Sequence, residues 1–362
     1  MKKRIIGIDL IRIVAMFMIM NYHILLYGSW LVSKRTSTFN HNFSVVAVAI
    51  TIISVNLFAI ISGYVGLNSH HRLSRLIDIH LQVVFYSIVV LAYFLIFKRS
   101  YLDSKLILSS IFPTVFKGYW YWNAYLLLFI LMPFINNGMK SLSKKGATLL
   151  VGLLFFTSSI CNCFPNFDIF GVGLGYNFVW LIILYIYGAY FKRYGFGVLA
   201  KNKLVTFILF IINWMLIVEC SHLFHKYNIG INNNGFDITQ FQYTFPLVVT
   251  LSILMFILLI SINFKNVIFN NVIIFLGNHS FSAYLLQTNF IIFSLVITDK
   301  YNFLRYLAPN KMMLCLFGLS MGWYVLAICI DCLRSLLWKI LRVKAISNYI
   351  ERKSMKFFED LN

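Results

Sequence analysis

The first apolar segment of the chain carries four polar side chains with chemical potential, namely Asp9, Arg12, Asn21 and His23. Arg12 and His23 are eleven residues apart. At about 100° per residue they lie on one helix face, with a mismatch of about 20° and a separation of about 16 Å along the axis. Asp9 precedes Arg12 by three residues, so the two are expected to pair. Because imidazole titrates near neutral pH without a large shift, His23 is the candidate general base or transient acyl carrier.

Two interpretations of this helix face remain open. In the first, Arg12 extends its long side chain to the membrane interface and His23 hydrogen-bonds a neighbouring helix. In the second, the face lines a polar path, because ionisable groups inside membrane segments are unfavourable and usually face a cavity or a partner.

Arg72 and Arg75 form a second candidate site. Three residues apart on a helical turn, they are expected to face the same way. Guanidinium groups bind phosphate through two parallel hydrogen bonds, so a pair of them suits a phosphorylated ligand. The alternative is that both are ordinary positive charges of a cytoplasmic loop.

An aromatic run at Tyr119, Trp120, Tyr121 and Trp122 opens the fourth apolar segment. One interpretation is the belt of Trp and Tyr found where proteins cross the membrane interface. The other is a stacking platform for a sugar, since aromatic rings pack on the C–H faces of sugars.

Three further polar features carry weaker hypotheses. Glu219 and His222 are three residues apart, and they either help to bind an acceptor or hydrogen-bond each other. The polar loop from Asn228 to Gln242 either touches a glycan or is simply solvated. No Cys/His group has the spacing of a zinc site, so no metal is expected.

Composition indicates what kind of fold must position these residues. The chain is 60% hydrophobic and 12% charged, against roughly 45–50% and about 25% in soluble domains. The excess apolar surface must face lipid, which predicts an all-α, polytopic integral membrane bundle. About ten transmembrane helices are predicted, near residues 8–31, 44–66, 79–97, 119–136, 147–163, 174–191, 203–224, 244–262, 272–297 and 311–338. No linker marks a boundary, so residues 1–338 are predicted to form one transmembrane core and residues 339–362 a basic cytoplasmic tail.

Charge predicts the orientation. Lys2, Lys3 and Arg4 precede an apolar run without a small-residue cleavage site, so that run is interpreted as the first membrane anchor. A cytoplasmic N-terminus places about 19 basic residues inside and about 10 outside, in agreement with the positive-inside rule. An even number of spans returns the C-terminus to the cytoplasm. The net charge of +20 is then explained by topology and by anionic lipid, without a nucleic-acid partner.

Several short motifs occur in order along nearly the whole chain. They are Ile8-Asp9-Leu10-Ile11-Arg12 followed by Ala15 and His23, Ile61-Ser62-Gly63-Tyr64, Arg72-Leu73-Ser74-Arg75, Trp120-Tyr121-Trp122 with Tyr125 and Pro133, and Phe275-Leu276-Gly277-Asn278-His279-Ser280-Phe281 with Tyr284-Leu285-Leu286. Each motif alone is weakly specific. In this order and spacing they resemble the membrane acyltransferase-3 family, whose usual core is ten helices.

The resemblance implies transfer of an acyl group, commonly acetyl from cytoplasmic acetyl-CoA, to a hydroxyl of a carbohydrate or lipid-linked glycan outside the cytoplasm. It implies a bacterial plasma membrane as the location. Arg72 and Arg75 would hold the CoA phosphates, and Arg12 the pantetheine end or the thioester carbonyl. His23 would carry the chemistry, with Arg12 and Asp9 beside it. Candidate substrate contacts are Ser62, Tyr64, Trp120, Tyr121, Trp122, Tyr284, Gln287 and Glu219.

One position departs from the family pattern. Many members carry a histidine right after the late Tyr-Leu-x element, where this chain has Gln287. An amide cannot act as a base at neutral pH, although it donates and accepts hydrogen bonds. We therefore expect Gln287 to orient the substrate while His23 carries the chemistry. His279, eight residues upstream, is not expected to substitute.

Two other function classes fit parts of the pattern. A transporter or glycan flippase would also place buried Arg and His along a polar path. A membrane scaffold or polymerase subunit would need no acyl chemistry, although a polymerase usually has a larger outer loop than this sequence shows.

Overall fold

The structure, a computed structural model, describes residues 4–32, 37–164, 167–227 and 242–359. Within these ranges the chain is helical and contains no β-strand. This agrees with the predicted all-α class.

Sixteen α-helices occur in the described ranges. In chain order they are α1 (Ile6–His23), α2 (Thr38–Thr51), α3 (Ser54–Gly66), α4 (Leu73–Phe97), α5 (Ser104–Ile111), α6 (Trp120–Ser141), α7 (Lys144–Phe155), α8 (Phe178–Tyr194), α9 (Val198–Lys201), α10 (Lys203–Lys226), α11 (Pro246–Ile260), α12 (Val267–His279), α13 (Phe281–Gln287), α14 (Phe290–Ile292), α15 (Pro309–Ile340) and α16 (Val343–Glu359). Single π turns extend α1, α7 and α14, at Ile24–Gly28, Phe156–Ile160 and Phe293–Ile297.

Six helical segments of the described chain are long and apolar enough to cross a membrane. They are Ile6–Gly28, Thr38–Gly66, Leu73–Phe97, Lys144–Cys163, Lys203–Phe224 and Pro309–Ile340. A seventh is added if Val267–Gln287 and Phe290–Tyr306, which are bent by 57°, form one broken span. The three other predicted runs form α6, α8 and α11, of 22, 17 and 15 residues. The chain is thus a multi-pass membrane protein, and the count of about ten spans stays a prediction.

Helix α1 lies at the centre of the bundle. It packs against α2, α3, α11, α12, α13 and α15, so the face that carries Asp9, Arg12 and His23 is surrounded by other helices. Outer helices expose large apolar side chains, for example Ile96 and Leu314, which are 72% and 71% exposed. This distribution suits a bundle whose outer surface faces lipid and whose centre holds the polar groups.

Two glycines allow α3 and α8 to cross at very close range. A Cβ atom on Gly63 would lie 1.9 Å from the carbonyl oxygen of Tyr185, and one on Gly188 would lie 2.1 Å from the carbonyl oxygen of Ile60. Small residues let helix backbones approach in membranes, where packing drives association. Gly63 belongs to the motif Ile61-Ser62-Gly63-Tyr64, so this close crossing also fixes the position of Ser62, which lines a cavity.

Both ends of the described chain lie at the same end of the bundle. Arg4 hydrogen-bonds Asn278, and the adjacent His279 hydrogen-bonds Asp331 in the last turns of α15. The chain turns at residues 341–342, and α16 then packs against α4, where Ser347 donates to Asp78. The side of the membrane on which this end lies, and the cytoplasmic place of the tail, stay predictions.

Candidate active site

A large cavity opens at the end of the bundle where α4 begins. Its volume is about 320 Å³, and Arg12, Arg72 and Arg75 all line it. Arg75 lies close enough to Arg12 for the two charges to repel each other. In the part of the chain that the structure describes, no side chain hydrogen-bonds Arg72 or Arg75. The cavity therefore concentrates positive charge in a way that favours an anionic ligand.

The predicted pair between Asp9 and Arg12 is present, and a second arginine joins it. Arg12 Nη1 lies 3.0 Å from Asp9 Oδ1, while Arg4 donates from Nε and Nη2 at 2.7 and 2.9 Å to the two carboxylate oxygens. Arg4 also donates at 2.6 Å to Asn278 Oδ1. The hydrogen bond to Asp9 raises the pKa of Arg4. Since Asp9 is buried, these contacts hold Arg12 at the cavity wall while most of its N–H donors stay available.

The expected placement of Arg72 and Arg75 on one helical turn is wrong in detail. Arg72 has an extended backbone, with φ of −129° and ψ of 120°, and α4 begins only at Leu73. No side chain caps this helix start. Both arginines nevertheless line the same cavity, and the positive end of the α4 dipole lies between them. Two guanidinium groups beside an uncapped helix N-terminus are well suited to phosphate.

His23 ends α1 and lines a second, much smaller chamber of about 20 Å³. Its Nδ1 lies 2.8 Å from Oε1 of the buried Gln287. The Gln287 amide nitrogen points to the carbonyl oxygen of Met20 at 3.4 Å, so the amide oxygen faces the imidazole. This amide orientation favours a proton on Nδ1, which leaves the Nε2 lone pair free to accept one. A π turn follows directly at Ile24, a feature that often marks functional sites.

Three aromatic rings separate the two chambers. Phe58, Tyr121 and Phe281 line both the arginine cavity and the chamber of His23. The small chamber has room for about one water molecule, since a water needs roughly 10–15 Å³ measured in this way. The arginine cavity and the chamber of His23 therefore share an aromatic wall, while Arg12 and His23 lie about 16 Å apart along α1.

A group of four tyrosines lies in and beside the chamber of His23. Tyr22 and Tyr243 line the chamber, and their hydroxyls, together with that of Tyr27, interact with the Tyr176 hydroxyl. Tyr176 is 41% exposed, and its ring lies 4.9 Å from that of Trp120. A path of aromatic and phenolic groups thus leads from His23 to the opposite surface.

The remaining predicted substrate contacts fall into different places. Ser62 and Trp122 line the arginine cavity, and Tyr284 lines the chamber of His23. Tyr64 lies in an adjacent groove, where the Lys192 ammonium is 4.6 Å from its ring centre. Glu219 is exposed on α10 and lines neither chamber.

Gln287 also differs from its predicted place. It is fully buried and lines neither chamber, so its contact is with His23 and not with open space. Glu219 and His222, proposed as a pair, are both exposed, and no hydrogen bond joins them. The hypothesis for the loop from Asn228 to Gln242 concerns residues 228–241, which lie outside the described residues, as do Lys2 and Lys3.

A second buried carboxylate lies beside the same wall. Asp331 is 0% exposed and accepts hydrogen bonds from His279 at 2.6 Å, Arg334 at 2.6 Å and Gln82 at 3.0 Å. His279 is thus hydrogen-bonded to Asp331. This agrees with the expectation that His279 does not replace the histidine that many family members have at the position of Gln287. The segment from Gly277 to Phe281 is anchored on one side by the Arg4–Asp9 group and on the other by Asp331.

The sequence did not single out several residues that shape this site. Phe58 is an apolar residue in an apolar helix, so no local signal distinguishes it from ordinary core, and Phe281 was noted only as the end of a family motif. Arg4 is one of many terminal basic residues, and its role depends on Asn278, which is distant in sequence. Among the described residues, no group of three His, Cys, Asp or Glu side chains is arranged to hold a metal.

Comparison with known proteins identifies a family. The acyltransferase-3 family model, described as an acyltransferase domain, matches residues 5–334, which is nearly the whole chain. No curated protein and no solved structure matches the chain.

Proposed function

Because this chain belongs to the acyltransferase-3 family, we propose that it moves an acetyl group from acetyl-CoA to a hydroxyl of a carbohydrate or lipid-linked glycan. The family resemblance noted from the sequence is confirmed, and acyl transfer by a multi-pass membrane protein follows from it. The donor, the acceptor and the residue roles below are parts of the proposal.

One observation carries the proposal. Three arginines line a single cavity, and only three aromatic rings separate that cavity from a histidine whose tautomer is fixed by an amide. An anion site next to an oriented base is the arrangement that transfer from an anionic thioester requires.

The donor side is the arginine cavity. Its volume of about 320 Å³ is within the range of roughly 300–1,000 Å³ of small-molecule sites. Arg72, Arg75 and the start of α4 would hold the CoA phosphates at the opening. The pantetheine arm would extend inward along Ser62 and Tyr125, which brings the thioester to the partition. Arg12 would hold the pantetheine arm, because it lies about 16 Å from His23 along α1 and is held by Asp9.

The chemistry is assigned to Nε2 of His23. In direct transfer, Nε2 takes the proton of the acceptor hydroxyl while the oxygen attacks the thioester carbonyl. The C–S bond breaks, the CoA thiolate leaves, and the proton passes from the imidazolium to the sulfur. In the two-step alternative, Nε2 attacks the carbonyl itself, the C–S bond breaks and the CoA thiolate leaves. The acceptor oxygen then attacks the acetyl-imidazole, the N–C bond breaks, and the hydroxyl proton passes to the CoA sulfur. Both routes need the Nδ1 proton that Gln287 holds.

The acceptor side is the tyrosine path. The exposed Tyr176 offers its hydroxyl at the surface and interacts with the hydroxyls of Tyr22, Tyr27 and Tyr243, and Trp120 adds an aromatic face. Aromatic and hydroxyl groups of this kind suit a carbohydrate. With the arginines in the cytoplasm, the acceptor would be extracytoplasmic, at a bacterial plasma membrane.

The transporter alternative fits the geometry less well. A flippase needs a route for a whole sugar, whereas the chamber of His23 holds about one water molecule and is closed by aromatic rings. The scaffold alternative gives no reason for three arginines in one cavity.

Two measurements test the proposal. Proton NMR of the surface polysaccharide of the host would compare wild type, a deletion strain and His23→Ala, and O-acetyl signals should vanish in both mutants. Calorimetric titration of the purified protein with CoA would test Arg72→Ala/Arg75→Ala. Loss of two charge-assisted contacts, each worth about 1.5–3 kcal/mol, should weaken binding at least a hundredfold. Lys144→Ala/Lys145→Ala, which removes two charges elsewhere, is the matched control.

Each result has a clear meaning. Unchanged O-acetylation in the His23→Ala strain, with altered export or polymer length, would replace acyl transfer by a transport or assembly role. Equal CoA binding by the two double variants would remove the arginine cavity as the donor site.

A further inference from the structure

A separate groove lies at the far end of α4 from the arginine cavity. Helix α4 has 25 residues and so spans about 37 Å, which places its C-terminus at the opposite face of a bilayer from Arg72. The groove has a volume of about 490 Å³. One wall is apolar, made of Phe94 on α4 and of Ile292, Leu295 and Val296 on α14 and its π turn. An apolar wall suits contact with a hydrocarbon chain.

The end of the groove carries two lysines. Lys98 and Lys300 both line it and are exposed, and neither ammonium has a hydrogen-bonding or ion-pair partner within the described ranges. The acidic residues close to them in sequence face other donors. Asp299 accepts from the Trp30 indole at 2.5 Å, and Asp103 caps α5 by accepting from the Leu106 backbone. The groove therefore joins an apolar wall to two lysines that have no ion-pair partner among the described residues.

Backbone hydrogen bonds hold this end of the groove in place. The Asp299 amide donates at 3.0 Å to the Tyr27 carbonyl, and the Tyr301 amide donates at 2.8 Å to the Gly28 carbonyl. Lys300 lies between these two anchors, so its backbone is fixed relative to α1. The neighbouring α4 side chains Ile96 and Phe97 are 72% and 65% exposed, as expected for a surface that faces lipid.

We propose that this groove binds an anionic lipid of the surrounding bilayer. Its phosphate lies between Lys98 and Lys300, and one acyl chain lies along Ile292, Leu295 and Val296. The two lysines favour a lipid with a phosphate group, because lysines near a membrane surface attract anionic headgroups. Acyl transfer neither requires nor predicts this site, so the two proposals fail separately.

The test is lipid retention by the purified full-length protein. Native mass spectrometry would count bound phosphatidylglycerol and phosphatidylcholine of the same chain length added to the detergent-solubilised protein. Wild type should retain phosphatidylglycerol several-fold better. Lys98→Ala/Lys300→Ala should lower its affinity roughly thirtyfold, as expected for two lost lysine contacts. Lys98→Arg/Lys300→Arg, which keeps both charges, should retain it.

Controls separate the groove from general surface charge. Lys105→Ala/Lys311→Ala removes two other exposed lysines and should bind phosphatidylglycerol as wild type does. An equal loss in this control would show a diffuse electrostatic effect and overturn the site. Displacement of the lipid by soluble glycerol phosphate at equal concentration would also overturn it, since the apolar wall would then contribute nothing.

Discussion

Replacing Gln287 by leucine should slow acyl transfer while leaving the donor site unchanged. Gln287 Oε1 accepts from His23 Nδ1 at 2.8 Å, and the residue is fully buried against the imidazole. Leucine has a similar volume but no acceptor. The Nδ1–H group would lose its partner, so the imidazole would rotate or adopt the other tautomer, in which Nε2 cannot accept a proton.

The expected magnitude follows from that lost contact. A buried donor without a partner is destabilised by about 1–3 kcal/mol. If this free energy sets the population of the competent imidazole, kcat falls about 5- to 150-fold, since about 1.4 kcal/mol is tenfold in rate. KM for acetyl-CoA should stay the same, because Arg12, Arg72 and Arg75 are untouched.

The assay is incorporation of radiolabelled acetyl from acetyl-CoA into base-labile esters in membranes of the native host. Two variants serve as controls. Gln287→Glu keeps an acceptor for Nδ1–H and should retain more activity than Gln287→Leu. Asn213→Leu removes another amide contact, to Thr250 at 2.9 Å between α10 and α11, and should leave the rate unchanged.

Two results would refute this reasoning. If Gln287→Leu kept the wild-type kcat, the amide would not control the tautomer of His23. If it raised KM for acetyl-CoA at constant kcat, Gln287 would act in donor binding, which its position away from the arginine cavity does not explain.

Three further predictions concern packing and the partition. Gly63→Ala should lower the melting temperature and the folded yield in detergent, because overpacking a helix contact typically destabilises by about 1–3 kcal/mol. Gly138→Ala is the control, and it should change neither, since its Cβ would meet nothing within 4 Å. Phe281→Ala should raise acetyl-CoA hydrolysis several-fold relative to transfer, because opening the aromatic partition admits water to the thioester, and an unchanged ratio would contradict this. Asp331→Leu should destabilise the protein by about 3–5 kcal/mol by leaving buried positive charge unpaired, and adding Arg334→Leu should recover part of the loss in thermal unfolding.

Local sequence patterns were sufficient for some of these features. The period of α1 predicted Arg12 and His23 on one helix and the pair between Asp9 and Arg12, and the structure contains both the helix and the pair. Such contacts join residues within a few turns, so helix geometry alone decides them.

Other features depended on contacts between distant helices. Arg72 was expected on a helical turn, but α4 starts after it, because helix ends are weakly encoded and are decided by the packing of the following segment. Gln287 was expected at the substrate, and its contact with His23 links positions 264 residues apart. The tautomer of His23 could not be predicted before that contact was known.

The sequence by itself determined the membrane class, the helical state and the family. Composition reflects the lipid that surrounds the chain, and short motifs depend only on residues that are close in sequence. Only the tertiary structure decided that the arginines share one cavity, that aromatic rings divide this cavity from His23, and that Gln287 orients the imidazole. The physical reason is that these contacts join residues distant in sequence and therefore depend on how the helices cross. Crossings such as the one between α3 and α8 result from packing over the whole chain, which no single segment encodes.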